Sequence, residues 1–151
     1  MFSKTVEYAL RAVVHLAQAL PDTRKTSEVA QSTKVPPAYL AKVLQSLASK
    51  GIVKMTRGIG GGVTLARDIH TTTILDIVNA VEPIQRISHC PLDLKGHGTH
   101  LCALHRRMDT AIAQMETAFR LTTVAQLLSE PNTSVPLCDK LTKIKKDSDK
   151  Q

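Results

Sequence analysis

Pro37-Ala38-Tyr39-Leu40-Ala41-Lys42-Val43-Leu44-Gln45-Ser46-Leu47-Ala48-Ser49-Lys50-Gly51, followed by Ile52-Val53-Lys54-Met55-Thr56-Arg57-Gly58-Ile59-Gly60-Gly61-Gly62-Val63-Thr64-Leu65-Ala66, changes its apolar rhythm halfway along. In the first half Leu40, Val43, Leu44, Leu47 and Ala48 fall at i, i+3, i+4, i+7 and i+8, which puts them on one face of a helix. Gly51 is the residue expected just past its end. In the second half Ile52–Thr56 and Val63–Ala66 read as strands. They are separated by Arg57 and a run in which glycine is dense: five of the chain's seven glycines lie between 51 and 62. Two strands joined by a glycine-rich turn predict a hairpin with a flexible tip.

Upstream, Val6, Ala9, Leu10, Val13, Val14, Ala17 and Leu20 predict an amphipathic helix over 4–20, ended by Pro21-Asp22. Thr26 or Ser27 is expected to cap a short helix over 28–32, and Lys34-Val35-Pro36-Pro37 to turn the chain into the helix that begins the quoted stretch. Three helices followed by a β-hairpin is the order of a winged helix-turn-helix. Downstream, Thr73-Ile74-Leu75-Asp76 is a capping box opening a helix through Val81. From Leu101 the series Leu101, Leu104, Met108, Ala111, Met115, Ala118 steps by three and four, with Ile112 and Phe119 widening it. The reading favoured for such a seam is the same helix of a second chain, with Leu127 and Leu128 continuing the contact. The fold class expected is therefore mainly α with a small β-hairpin wing. It comprises a winged helix-turn-helix domain (1–82), a Cys/His loop (83–100), a dimerisation helix region (101–130) and a disordered basic tail (131–151).

The 151 residues suffice for one domain with a core and an oligomerisation element. The net charge of +7 is uneven: 1–70 carry +6, 71–137 carry −1, and the tail from Cys138 carries +2. A basic N-terminal half points to a polyanion, although a generic solubilising surface would look the same. No apolar run approaches the roughly 20 residues that span a bilayer. Aromatic residues make up only 3% of the chain, too few for a membrane anchor. The absence of a leader and the three cysteines lead to a cytoplasmic expectation.

Beside the apolar stripe of the quoted helix stand Ala38, Tyr39, Lys42 and Gln45. At the N-terminal end of a helix lying in a major groove, Tyr39 and Lys42 would bond phosphates and Gln45 would read an adenine edge. Ser27 and Lys34 add backbone contacts. Arg57 stands at the base of the wing, and Gly60 and Gly61 let the backbone approach a narrow minor groove. Each also has a plain structural reading, as a solvated arginine and turn glycines. A phosphate-cradling loop would need a helix and a Lys-Ser/Thr pair after the glycines, and neither follows. No hydrolase motif is present, and His15 on the inner side of the first helix reads as a packed histidine rather than a base. The chain is not expected to be an enzyme.

Cys90 and Cys102 share residues 89–105 with four of the six histidines, His89, His97, His100 and His105. Thiolates and imidazoles hold zinc, copper and iron–sulfur clusters. A mononuclear zinc site, a reversible Cys90–Cys102 disulfide and a site without metal all remain open from these residues. So does a metal-binding redox module whose basic half contacts RNA or a protein. Cys138 reads as an incidental thiol.

Several runs together resemble the Rrf2 family of bacterial winged-helix regulators, the IscR/NsrR/CymR group. They are Tyr8-Ala9-Leu10-Arg11-Ala12, Val35-Pro36-Pro37-Ala38-Tyr39-Leu40, Leu44-Gln45-Ser46-Leu47, Gly51-Ile52-Val53, Arg57-Gly58-Ile59-Gly60-Gly61-Gly62 and Leu65-Ala66-Arg67. The resemblance runs from about Met1 to Leu128. It implies a homodimer on a partly palindromic double-stranded operator, with Arg57 entering the minor groove. Cluster-binding members carry three cysteines in the loop; here Gly96 stands in the place of the middle one. By resemblance His105 matches a histidine of the branch that binds a two-iron cluster, and Glu7 a first-helix carboxylate lent by the other subunit. The implied ligand set for a 2Fe-2S cluster is thus Cys90, Cys102, His105 and Glu7. His105 lies one helical turn after Cys102, and His97 or His100 are alternatives to Glu7. A cluster-free or thiol-based regulator ranks second and a zinc site third.

Overall fold

Ser3 begins the first helix by accepting a hydrogen bond from the Val6 N–H on its hydroxyl at 3.3 Å, which satisfies one of the orphan donors of the first turn. The structure, a computed structural model, describes residues 2–92, 94–97, 100–131 and 136–137. Helix α1 spans Lys4–Gln18, α2 Thr26–Thr33 and α3 Pro37–Ser49; strands β1 (Val53–Thr56) and β2 (Gly62–Leu65) follow. Then come α4 (Ile74–Val81), a 3-10 turn at Lys95–His97, α5 (Ala103–Leu121) and α6 (Val124–Ser129).

Each element follows from local chemistry. Helix α1 stops two residues short of the expected end because the residue before Pro21 is held out of the helical region. Ala19 N–H instead closes the last turn on the carbonyls of His15 and Leu16, both at 3.2 Å. Helix α2 is capped one residue earlier than expected: the Glu28 carboxylate accepts the Lys25 N–H at 3.2 Å, and Thr26 and Ser27 are already helical. Pro37 occupies the first position of α3, where its missing N–H costs nothing. Gly51 past its end has φ +69°, as expected of a helix stop.

The stripe of α3 (Leu40, Val43, Leu44, Leu47) is buried with Val13 and Leu16 of α1 and Val29 of α2 in the main core. The hairpin is antiparallel, with Val53 opposite Leu65 and Thr56 opposite Gly62. Val53 and Val63 are buried in that core. Arg24 extends the sheet by one bridge, its N–H donating to Val63 O at 2.9 Å and its carbonyl accepting from Val63 N–H at 2.7 Å.

The far end of the chain returns to this domain. Thr73 and Thr123 each form a capping box, with Asp76 and Gln126 respectively. The two helix starts lie back to back: Ile74 N–H donates to Thr122 O and Val124 N–H to Thr72 O, each at 2.9 Å. Val124 is wholly buried in the main core. Leu128 packs against that core, and Leu127 against a second cluster formed by Val6, Ile74 and Val78. This corrects the expectation that Leu127 and Leu128 extend an intersubunit contact; the extended backbone at Thr122 turns α6 back onto its own domain. Phe119 likewise faces inward, its ring 5.2 Å from that of Phe2. Along α5 no residue is fully buried, and Leu104, Met108, Ala111, Ala118 and Leu121 are exposed. None of the described helices is long and apolar enough to cross a membrane. Most of the expected tail, Cys138 included, lies outside the described residues.

Candidate nucleic-acid interface and thiol–imidazole segment

With its apolar stripe buried, α3 presents the opposite face outward. Ala38, Tyr39, Lys42 and Gln45 are all exposed, as are Ser27 on α2 and Lys34 at its end. Lys34 takes the left-handed conformation at φ 54°, a position usually given to glycine, which turns the chain sharply into α3. Tyr39 is 58% exposed yet held in place. The Tyr8 ring meets it edge-on at 6.0 Å, and the Arg11 guanidinium sits 6.0 Å from the Tyr8 centroid. Arg11 is itself fixed by Glu7 at 2.9 Å and by the Thr33 carbonyl at 3.4 Å. Sequence reasoning missed Tyr8 and Arg11 as supports of this face; their i, i+3 spacing on α1 was the available signal.

The wing carries Arg57 fully outside the core. Its tip closes when Gly61 N–H donates to Gly58 O at 3.0 Å. Gly60 has φ +75°, and a Cβ at Gly61 would lie 2.3 Å from the Thr56 carbonyl oxygen. Both glycines are therefore required by the turn itself, whatever else they do. His15 is half-buried on α1, with Nε2 buried and unpartnered among the described residues. Burial chiefly, then Arg24, holds its pKa below the ordinary value, against a smaller opposing effect of Glu28. It is a packed histidine, as read from the sequence.

In the Cys/His segment both described cysteines are free thiols. Cys90 is buried. Cys102 is half-buried at the N-cap of α5, with Sγ 3.4 Å from His105 Nδ1. His89 Nδ1 lies 3.1 Å from Ser88 Oγ. Gly96 is exposed on the 3-10 turn, and a Cβ there would meet no atom of the described residues within 4 Å. The side chain of His97 lies outside the described residues. Glu7 sits on α1 in its ion pair with Arg11. Of the expected ligands, the structure brings Cys102 and His105 together within one protomer. Among the described residues no three His, Cys, Asp or Glu side chains gather closely enough to hold a metal ion.

The approach to Cys90 is clamped onto α5. Arg86 donates two bonds to Asp109, at 2.7 and 2.6 Å, and one to Glu116 at 3.3 Å. Asp109 also accepts the Ile87 N–H at 2.9 Å. The Arg86 hydrogen bonds chiefly, opposed by partial desolvation and aided by Ile87, hold the Asp109 carboxyl below the usual range. A bidentate guanidinium–carboxylate pair fixes geometry as well as charge. No sequence spacing pointed to this clamp.

A family model described as Rrf2, iron-dependent transcriptional regulator, matches residues 2–130. A candidate HTH-type transcriptional regulator of Aquifex aeolicus (strain VF5) is 30% identical over 132 residues, 85% of this chain and 92% of that protein. Among solved structures, IscR of T. potens has a TM-score of 0.73 at 22% identity, covering 87% of this chain and 88% of that one. CymR, the global cysteine regulator of B. subtilis, has a TM-score of 0.71 at 22% identity, covering 87% and 98%. At these identities the two structures establish the shared fold.

Proposed function

Because this chain belongs to the Rrf2 family of iron-dependent transcriptional regulators, we propose that it works as a homodimer. In this reading the dimer places two winged helices on a partly palindromic DNA operator and takes its signal through the Cys90–His105 segment. The observation that carries the DNA-binding part is the division of α3: Leu40, Val43, Leu44 and Leu47 are buried, while Ala38, Tyr39, Lys42 and Gln45 stand exposed. Ser27, Lys34, Arg57, Gly60 and Gly61 complete the interface. The exposed apolar positions 104, 108, 111 and 118 on α5 keep the spacing of a helix–helix seam and supply the dimer contact. An equilibrium titration with duplexes selected from a random pool tests this reading. The expected result is sequence-preferring, salt-dependent binding; equal affinity for every duplex would overturn it.

For the signal, the finer reading is an iron–sulfur cluster of the two-iron type. Such a cluster needs four protein ligands, with imidazole admissible in place of thiolate. The donors fit in kind, since Cys102 and His105 already meet at 3.4 Å. They fall short in number within one protomer, so Cys90 and the partner's Glu7 would have to join them. Bound there, a cluster would make the segment responsive to redox state and iron supply. The Arg86 clamp offers a path from the segment to α5, where a displacement of the dimer seam would alter the separation of two recognition helices set roughly 34 Å apart. A second reading, a thiol-based or zinc-holding sensor, draws support from the same Cys102–His105 contact. Anaerobic isolation with iron, zinc and acid-labile sulfide counts separates them. Iron and sulfide in equal amounts, both lost in Cys90→Ala, support the cluster. Colourless protein after reconstitution, without iron, eliminates it and leaves DNA binding untouched.

A further inference from the structure

The apex of the wing carries a large apolar side chain that nothing in the protein covers. Ile59 lies between Gly58 and Gly60 with a relative exposure of 110%, more than an extended peptide would show. It is the most exposed of the large apolar residues among the described residues, ahead of Leu121 at 71%, Leu92 at 69% and Leu104 at 64%. Turn apices favour Gly, Asn, Asp and Ser, which take turn conformations readily or bond their own backbone. A β-branched residue brings neither advantage, so Ile59 contributes nothing to forming this turn.

The turn that carries it is nonetheless defined at its base and at its tip. At the base of the wing, Val63 is buried and bonded to Arg24 at 2.9 and 2.7 Å. At the tip, the Gly61–Gly58 bond and the missing space for a Cβ at Gly61 allow one narrow path. Ile59 therefore projects from a fixed base on a thin stalk of glycines, two residues beyond Arg57. Arg57 supplies positive charge for a minor groove, and the glycines leave the stalk slim enough to enter it. Proteins that bind minor grooves press apolar wedges between base steps, partly unstacking them, and pyrimidine–purine steps yield most easily.

We infer that Ile59 is such a wedge. It enters the minor groove of each half-site beside Arg57 and makes the protein select a deformable TA or CA/TG step there. This inference rests on the wing reading DNA, as proposed above. The chain would thus gain specificity at base pairs to which it makes no hydrogen bond.

The test uses the full-length dimer and the tightest duplex that wild-type protein selects from a random pool. It compares Ile59→Ala, Ile59→Met and Arg57→Ala, with 2-aminopurine placed at the step facing the wing. Ile59→Ala should bind about tenfold more weakly, the scale of one mismatched base pair. Its salt dependence should be unchanged because no charge is removed. The 2-aminopurine should brighten on binding wild type and Ile59→Met, and stay dim with Ile59→Ala. Ile59 touches no core residue, so the variants should melt with wild type. If Ile59→Ala keeps wild-type affinity and step preference while Arg57→Ala is weakened, the wedge is overturned and the wing remains a DNA contact. If Arg57→Ala is also unaffected, the wing does not read DNA and both readings fall.

Discussion

At Gly96 a side chain has open space among the described residues: a Cβ there meets none of their atoms within 4 Å, and its backbone is not in the left-handed region. Gly96→Cys should therefore fold normally and supply a third thiol in the loop. The cluster reading predicts more iron and sulfide retained per chain after anaerobic isolation, and a ratio no higher than wild type would count against it. Arg57→Ala should weaken operator binding by ~1–3 kcal/mol and reduce the salt slope by about one; an unchanged titration would remove Arg57 from the interface. His15 gives a pH prediction. Burial lowers its pKa in the folded state, so the unfolded chain binds that proton more readily. Stability should be full above its ordinary value near 6.5 and fall as the pH drops below it. Melting curves between pH 7.5 and about 5.5 should show this fall, and His15→Gln should flatten it. At this scale the sequence was informative where a role depends on near neighbours: Cys102 and His105, three apart, do meet. It was silent on Tyr8 with Tyr39, and on Arg86 with Asp109, because those pairs are set by how helices pack.

The elements were more readable than their ends. The stripe of α3, the glycine-rich hairpin and the Thr73 capping box all form as their periodicities and cap residues require. The boundaries shifted where a proline or a first-turn carboxylate intervened, at α1 before Pro21 and at α2 through Glu28. The fate of α6 was illegible, since Leu127 and Leu128 suit an intersubunit face and a domain core equally well; backbone pairing at Thr123 decides between them. Removing the cap with Thr73→Ala should cost about 0.5–2 kcal/mol, read as a lower urea midpoint, and no change would mean the box is not needed. On α5, Leu104 and Met108 are 64% and 47% exposed. The double variant Leu104→Glu/Met108→Glu should give monomers by light scattering while keeping the helical signal of a folded domain. A variant still dimeric would move the seam elsewhere.

Taken whole, the molecule is a DNA-binding half whose core is completed from the other end of the chain. Winged helix, loop and long helix appear in the expected order, but 101–130 packs into the core of 1–82 through the buried Val124 and the half-buried Leu127 and Leu128. The segment leading to Cys90 is tied to α5 at Arg86, and α6 packs on the core that α1, α2 and α3 share. Arg86→Ala should speed amide exchange over 84–90 and blunt any difference in DNA affinity between reduced and oxidised protein. Unchanged exchange would show that the clamp holds nothing. The position of Val124 also has a consequence for biosynthesis. A nascent chain that has emerged only as far as the wing already displays Tyr39, Lys42 and Arg57, yet its hydrophobic interior lacks a plug that is translated some 60 residues later. The winged-helix core is packed to completion only once α5 and α6 have also been made, so a chain ending before Val124 should be less stable than the full one.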